Sequence, residues 1–291
     1  MKLLDFYNKV VKFGSELDPR KNLTVGHPYA DTAILYGDKD AQVNKIIVGI
    51  DIDVGEILLA DKIRQNQGLD LVLAHHPEGK AWAAFYEVMQ LQVDLLAKVG
   101  ISRRVAEELL DERKREVERK VLPNNHMRSV DAARLLDFPF MCAHTPADNH
   151  AANFIEQLLR EHKPKKLRNI VDILMEVPEY KGAAAQAAGP RIILGNPNRP
   201  VGDVFVEMTG GTEGPKEAID KLYKVGVRTL VSMHLSEEHF KKIKDMNLNV
   251  VIAGHISSDS LGVNLLLDKI EKEEKLSIIE CSGFRRFTRN S

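Results

Sequence analysis

The sequence predicts an α/β protein with largely parallel sheets, and three observations carry that prediction. Short apolar runs recur along the 291 residues and each ends abruptly in polar residues, the pattern of buried parallel strands. Helical stripes with recognisable caps separate those runs, as right-handed βαβ crossovers require. Four of the runs end in histidine, at His75-His76, His144, His234 and His255, although the chain has only ten histidines. Ligands of open α/β sheets bind just beyond the carboxyl ends of the strands, so histidines there are placed for chemistry.

Composition narrows the field. The 44% hydrophobic and 29% charged content is that of a globular protein, and a net charge of −1 provides no global field for nucleic acid or an acidic membrane. Charges at Lys2 and Asp5 fall where a signal peptide needs its apolar core. No apolar run reaches the roughly 18 residues of a membrane span. Two cysteines, Cys142 and Cys281, make no disulfide framework and suit a reducing compartment. The expectation is a cytoplasmic protein that contacts neither membrane nor nucleic acid directly.

The elements follow in order. Leu3, Tyr7, Val10 and Val11 form a helical stripe up to Gly14. Asp18 to Gly37, punctuated by Gly26, Pro28 and Gly37, reads as mostly loop. Lys45 to Ile52 is a strand. Asp53 with Glu56 forms a capping box for a helix that stops at Gly68. Leu69 to Ala74 is the next strand, closed by His75-His76-Pro77. Ala81 to Lys120 is long and periodic: Trp82 to Leu96 suggests a buried helix face, Gly100 breaks it, and the dense charge run Glu107 to Lys120 reads as a solvated helix. Phe138 to Ala143 is a strand, and His144 to Asp148 is the loop after it, with a helix from about Asn149 to Glu161. His162 to Lys166 reads as a linker. Tyr180 to Pro200 fixes no single structure. Strands follow at Val204–Met208, Thr229–Met233 and Asn249–Ala253, and Leu276 to Ile279 closes the sheet. Thr209-Gly210-Gly211-Thr212-Glu213-Gly214 offers backbone N–H groups to an anion but lacks the ending of a P-loop.

Strand ends of a parallel sheet lie on one edge, so two facing sheets bring these histidines together. Carboxylates lie four residues beyond two of them, Asp148 after His144 and Asp259 after His255. A His/carboxylate set of this size suits two divalent ions, and the absence of a cysteine cage argues against a closed structural zinc site.

Three motifs, Leu73-Ala74-His75-His76-Pro77, His144-Thr145-Pro146-Ala147-Asp148 and Gly254-His255-Ile256-Ser257-Ser258-Asp259, occur in the order seen in the NIF-three-like family. The resemblance extends weakly to Asp31–Gly37, Val48–Asp51 and Thr209–Gly211. These dinuclear-metal, hexameric proteins are also known as type 2 homologues of GTP cyclohydrolase I. The resemblance implies two similar α/β lobes, 1–165 and 166–291, with a metal pair between them. By position, it assigns His75, His76, Asp148, His255 and Asp259 as ligands, and His144 opens the second motif. The family usually has Glu where this chain has Asp259. The segment between His76 and His144 is longer here, so about 80–121 reads as a helical insertion in the first lobe.

Two function classes remain in play. One is a hydrolase using metal-bound hydroxide on a small anionic substrate, nucleotides included, with cyclohydrolase activity implied by the resemblance alone. In it His144, His150 and His234 are the candidates for moving protons. His234 matches no family ligand. The other is a non-catalytic metal-binding or metal-handling assembly protein. Zinc, manganese and iron all suit the mixed ligands.

Overall fold

The structure is a computed structural model that describes residues 1–20, 23 and 29–290. Gly26, His27 and Pro28, part of the region read as loop, lie outside the described residues. Helix α1 (Leu3–Ser15) buries Leu3, Tyr7 and Val10 of the expected stripe together with Phe6 and Phe13, while Val11 is only half-buried. A four-residue strand β1 (Ala33–Tyr36) then stands where loop was expected. It pairs antiparallel at a sheet edge with an irregular register between Ile34 and Tyr36, too short to show an alternation.

Strand β2 (Lys45–Gly49) leads to helix α2 (Val54–Gln67). Asp53 and Glu56 form the capping box, and Gly68 ends the helix at a φ of 69° that suits glycine. Strand β3 (Leu71–Ala74) follows, buried throughout. The insertion is helical: α3 (Gly79–Ala83), a 3₁₀ turn Phe85–Gln90, α4 (Leu91–Lys98) and α5 (Arg103–Val121), broken at Gly100. Helix α6 (Arg128–Leu135), strand β4 (Phe140–Cys142) and helix α7 (Thr145–His162) come next. The second half runs α8 (Leu167–Leu174), α9 (Pro178–Ala184), β5 (Arg191–Leu194), β6 (Asp203–Glu207), α10 (Ala218–Lys224), β7 (Val227–Ser232), α11 (Glu237–Lys244), β8 (Asn249–Ile252), α12 (His255–Glu271) and β9 (Ser277–Glu280). Strand β5 sits in the stretch whose sequence fixes no single structure. It is an antiparallel edge strand again, recruited by pairing with β8.

Among the described residues one sheet has the order β1-β4-β3-β2-β9 and the other β5-β8-β7-β6. The two share a plan: three parallel strands and an antiparallel edge strand whose register slips in the middle. Strand β9 departs from the order read along the chain. It pairs with β2 of the first sheet, Ile46 opposite Ile278 and Ile47 opposite Ile279, where its apolar side chains find cover.

The layers alternate. Helices α2 and α6 cover one face of the first sheet. Helices α7 and α12 lie between the sheets, Ala147, Val263 and Leu267 packing toward the first and Ala151, Ile155 and Leu261 toward the second. The insertion covers the outer face of the second sheet, not the first: Leu91, Leu95, Leu96 and Leu110 pack with Phe205, Leu230 and Val250. Each such leucine stabilises by roughly 1.5–3 kcal/mol when fully buried. Among the described residues no helix is long and apolar enough to cross a membrane.

Candidate metal centre

The carboxyl ends of β3, β4, β7 and β8 converge, and their histidines meet there. The ring centroids of His75 and His76 lie 5.2 Å apart, His75 and His144 4.9 Å, and His76 and His255 5.2 Å. The carboxylates arrive from the two central helices. The segment expected as a loop after β4 is helical, α7 starting at Thr145, and α12 likewise starts at His255. Pro146 suits a first helical turn, which needs no N–H there. His144 and Asp148, and equally His255 and Asp259, are therefore one helical turn apart on one face.

Each histidine is fixed through Nδ1 or presents Nε2 inward. The Nδ1 of His75 lies 3.1 Å from the Ala143 carbonyl, that of His76 2.7 Å from Asp51 and that of His144 2.8 Å from Asp31. Their Nε2 atoms face the carboxylates: His75 is 3.4 Å from Asp148 and 3.6 Å from Asp259, His76 3.4 Å from Asp259, and His144 3.7 Å from Asp148. His255 Nε2 is 3.6 Å from Asp259. Such anchoring of one imidazole nitrogen to free the other is what metal-binding histidines need.

Three overlapping groups of ligand atoms result: His75, His76 and His144; His76, His255 and Asp259; His75, Asp148 and Asp259, with atoms in each within 4.8 Å of one another. The fit to a cation rests on buried atoms with nothing to bind. His75 Nε2 and both carboxylate oxygens of Asp259 have no hydrogen-bond partner among the described residues. A buried carboxylate left so is costly. Ligand atoms at about 2.1 Å from one ion sit roughly 3–3.5 Å apart, close to these separations. Burial alone would lower the pKa of His75, but the charge of Asp259 and the nearby Asp148 lift it to about 10. Burial likewise opposes, and Asp259 and Asp51 overcome, a rise of His76 to about 9. Asp259 is held far below the usual carboxylate range, against its burial, by His75 and His76.

The remaining candidates divide. His144 is inside the cluster. His234 stands at its rim, its ring 4.8 Å from that of His255 and its Nδ1 3.6 Å from Glu213. By the shared plan of the sheets, β7 and His234 occupy in the second lobe the place of β3 and His75 in the first. His150 is not in the cluster: it is buried lower on α7 near Phe13, Glu16 and Lys269, where burial pushes it down to about 4. Asp31, Asp51 and Glu213 were not singled out from the sequence, although Asp31 and Asp51 lie in the weakly matching segments and Glu213 in the glycine loop.

That loop does reach the site. Gly211, Thr212 and Glu213 line a cleft with His144, Asp148, His234, His255 and Asp259. Gln92 of the insertion holds it there, donating to the carbonyls of Gly210 at 2.8 Å and Thr212 at 2.7 Å. Glu213 is buried, which would raise its pKa, but His234 and the hydroxyl and N–H of Ser236 hold it down to about 2. A depressed carboxyl contributes stability above its unfolded value, 4.5, and loses it as pH falls toward 2. Glu213→Gln is thus expected to cost on the order of 1–3 kcal/mol at pH 7, with the difference from the native protein shrinking between pH 4.5 and 2. Urea unfolding at pH 7, 4 and 3 checks it.

No protein-family model and no curated relative matches the sequence. Solved structures do. A NIF3 superfamily protein from Sphaerobacter thermophilus is 26% identical, with 95% of this chain and 98% of that one covered at a TM-score of 0.79. Reduced HcgD from Methanocaldococcus jannaschii is 16% identical, with coverage of 96% and 97% and a TM-score of 0.58. A protein from Thermus thermophilus, TTHA1606, is 14% identical, with coverage of 96% and 97% and a TM-score of 0.54. The chain thus has the fold of the NIF3 superfamily, matched over nearly its full length, as its three histidine motifs led us to expect.

Proposed function

We propose that the protein is a metal-dependent hydrolase that holds two divalent ions, of the zinc, manganese or iron kind, and acts on a small anionic substrate. The observation that carries the reading is the set of unpartnered buried atoms on His75 and Asp259, gathered with Asp148, His76 and His255 where the strand ends converge. His75, His76, Asp148, His255 and Asp259 would hold the ions. When bound, such ions acidify water and polarise the bond under attack. The chain's own residues do the rest. Asp51 and Asp31 fix the rings of His76 and His144. Glu213 steadies His234, which lines the approach and is placed to pass a proton to a leaving group. Gly211 and Thr212 of the glycine loop line the same approach.

A cavity of about 520 Å³ adjoins His76, His144, His234 and His255, which favours turnover over metal storage. The resemblance adds a symmetric hexamer. The tests are direct. Protein purified without chelator should carry close to two ions per chain and hydrolyse some phosphoester, nucleotide or cyclic amide. Chelator or Asp148→Asn should abolish that turnover. Retained metal with no turnover across such a screen leaves the metal-handling reading. Light scattering that gives a monomer at every concentration overturns the hexamer.

A further inference from the structure

The insertion builds one wall of that cavity, and the wall differs in kind from the rest. Trp82 lies on α3 and Phe85 begins the 3₁₀ turn after it. Their rings stack with centroids 5.3 Å apart and planes 27° from parallel. Phe85 in turn lies 5.6 Å from the ring of His144, so a single ring separates Trp82 from the histidine cluster. The rest of the lining is largely polar, with Asp51, Asn125 and Arg128, whose guanidinium stands 3.8 Å from Asp53. Phe85 is buried, but Trp82 is only partly so and lines the open cavity.

Packing accounts for Phe85, which joins Leu91, Leu95 and Leu96 in the insertion's core and approaches Gly211 beside Val88 and Met89, and for the side of Trp82 that leans on that core. It does not account for the part of Trp82 that lines the cavity. A half-covered indole in a polar cavity is an apolar flat face kept open to water, which is unfavourable until something flat covers it. The face is rigid, backed by Phe85, and ends at the metal centre.

We propose that Trp82 and Phe85 form a subsite for a flat conjugated ring of the substrate, which positions the attached reactive group over the histidine floor. This rests on the metal-hydrolase reading only for the identity of that floor. Trp82 is a specificity-determining residue: it touches the ring, not the reacting bond.

Three hydroxamates, which share a metal-chelating head, test it on zinc-loaded protein by calorimetry. Acetohydroxamate reads the metal centre alone. Benzohydroxamate adds a flat ring, and cyclohexanecarbohydroxamate a puckered one of similar size. The flat ring is expected to tighten binding about tenfold over acetohydroxamate and to exceed the puckered ring. Trp82→Leu should erase the margin of flat over puckered and leave acetohydroxamate and zinc content unchanged. Trp82→Phe, which keeps a flat face, should restore most of the margin. A flat ring that gains nothing in the native protein, or a margin that survives Trp82→Leu, overturns the subsite. If acetohydroxamate fails to bind, the metal centre is not open as proposed, and the subsite is then decided by benzamide, which needs no ion. Trp82 is the only tryptophan in the sequence, so its emission reports on the wall directly. A saturable change with benzamide supports the subsite, and its absence overturns it.

Discussion

Asp259→Asn is expected to lower metal affinity at least about 100-fold while leaving the fold intact. Asp259 is the carboxylate that three histidines approach, His75, His76 and His255, all within 3.6 Å. An amide supplies no charge to offset a cation and turns an N–H₂ group toward one of the imidazoles. His234→Gln is the control, since His234 sits at the rim and is expected to leave metal content unchanged. A second readout separates loss of the site from misfolding. In chelator, the Asn variant is expected to stay cooperatively folded but to unfold at a lower temperature than the native protein, because it removes the counter-charge of His75 and His76. Metal analysis and calorimetric titration with zinc check the first expectation, and thermal unfolding in chelator the second. Full metal occupancy in Asp259→Asn, with loss in His234→Gln, would sink the ligand assignment.

Gly262→Ala is expected to cost about 1–3 kcal/mol and to weaken metal retention as well. Helices α7 and α12 cross where they carry Asp148 and Asp259. A Cβ at Gly262 would lie 2.4 Å from the Ala147 carbonyl oxygen, a backbone atom with nowhere to go. The first turn of α7 is gripped from its other side too, since a Cβ at Gly14 would meet Pro146 at 2.5 Å. Pushing α12 off α7 therefore separates the two carboxylates. Gly55→Ala is the matched control: an added Cβ there meets nothing, and it lies in the first turn of α2. That change should be neutral or mildly stabilising. Unfolding temperature and zinc content of both variants test the pair. Equal behaviour would show that the helix crossing does not set the site.

Much of this was legible in the residues. The capping box at Asp53 and Glu56 and the stop at Gly68 are local chemistry, decided by neighbours a turn away. The histidines at strand ends were legible because burial forces strands to be apolar, which makes a polar terminus conspicuous. Strands β1 and β5 were not, because a four-residue edge strand is defined by its partner rather than by its own pattern. The helical first turns that carry Asp148 and Asp259 look like loop by composition, although Pro146 and the i,i+4 spacing point to helix. The seat of the insertion on the second sheet depends on contacts far apart in sequence, which no local window contains. The same holds for Glu213, whose role emerges only once His234 folds beside it.

The pairing of β9 with β2 also bears on how the molecule is made. On the ribosome, the first sheet can form β1, β4, β3 and β2 early, yet β2 then ends the sheet with Ile46, Ile47 and Val48 beside a row of unpaired backbone groups. The strand that seals this edge is translated only after the whole second sheet. A half-made chain thus presents an adhesive border to its neighbours on the polysome, and the early product depends on shielding until β9 emerges.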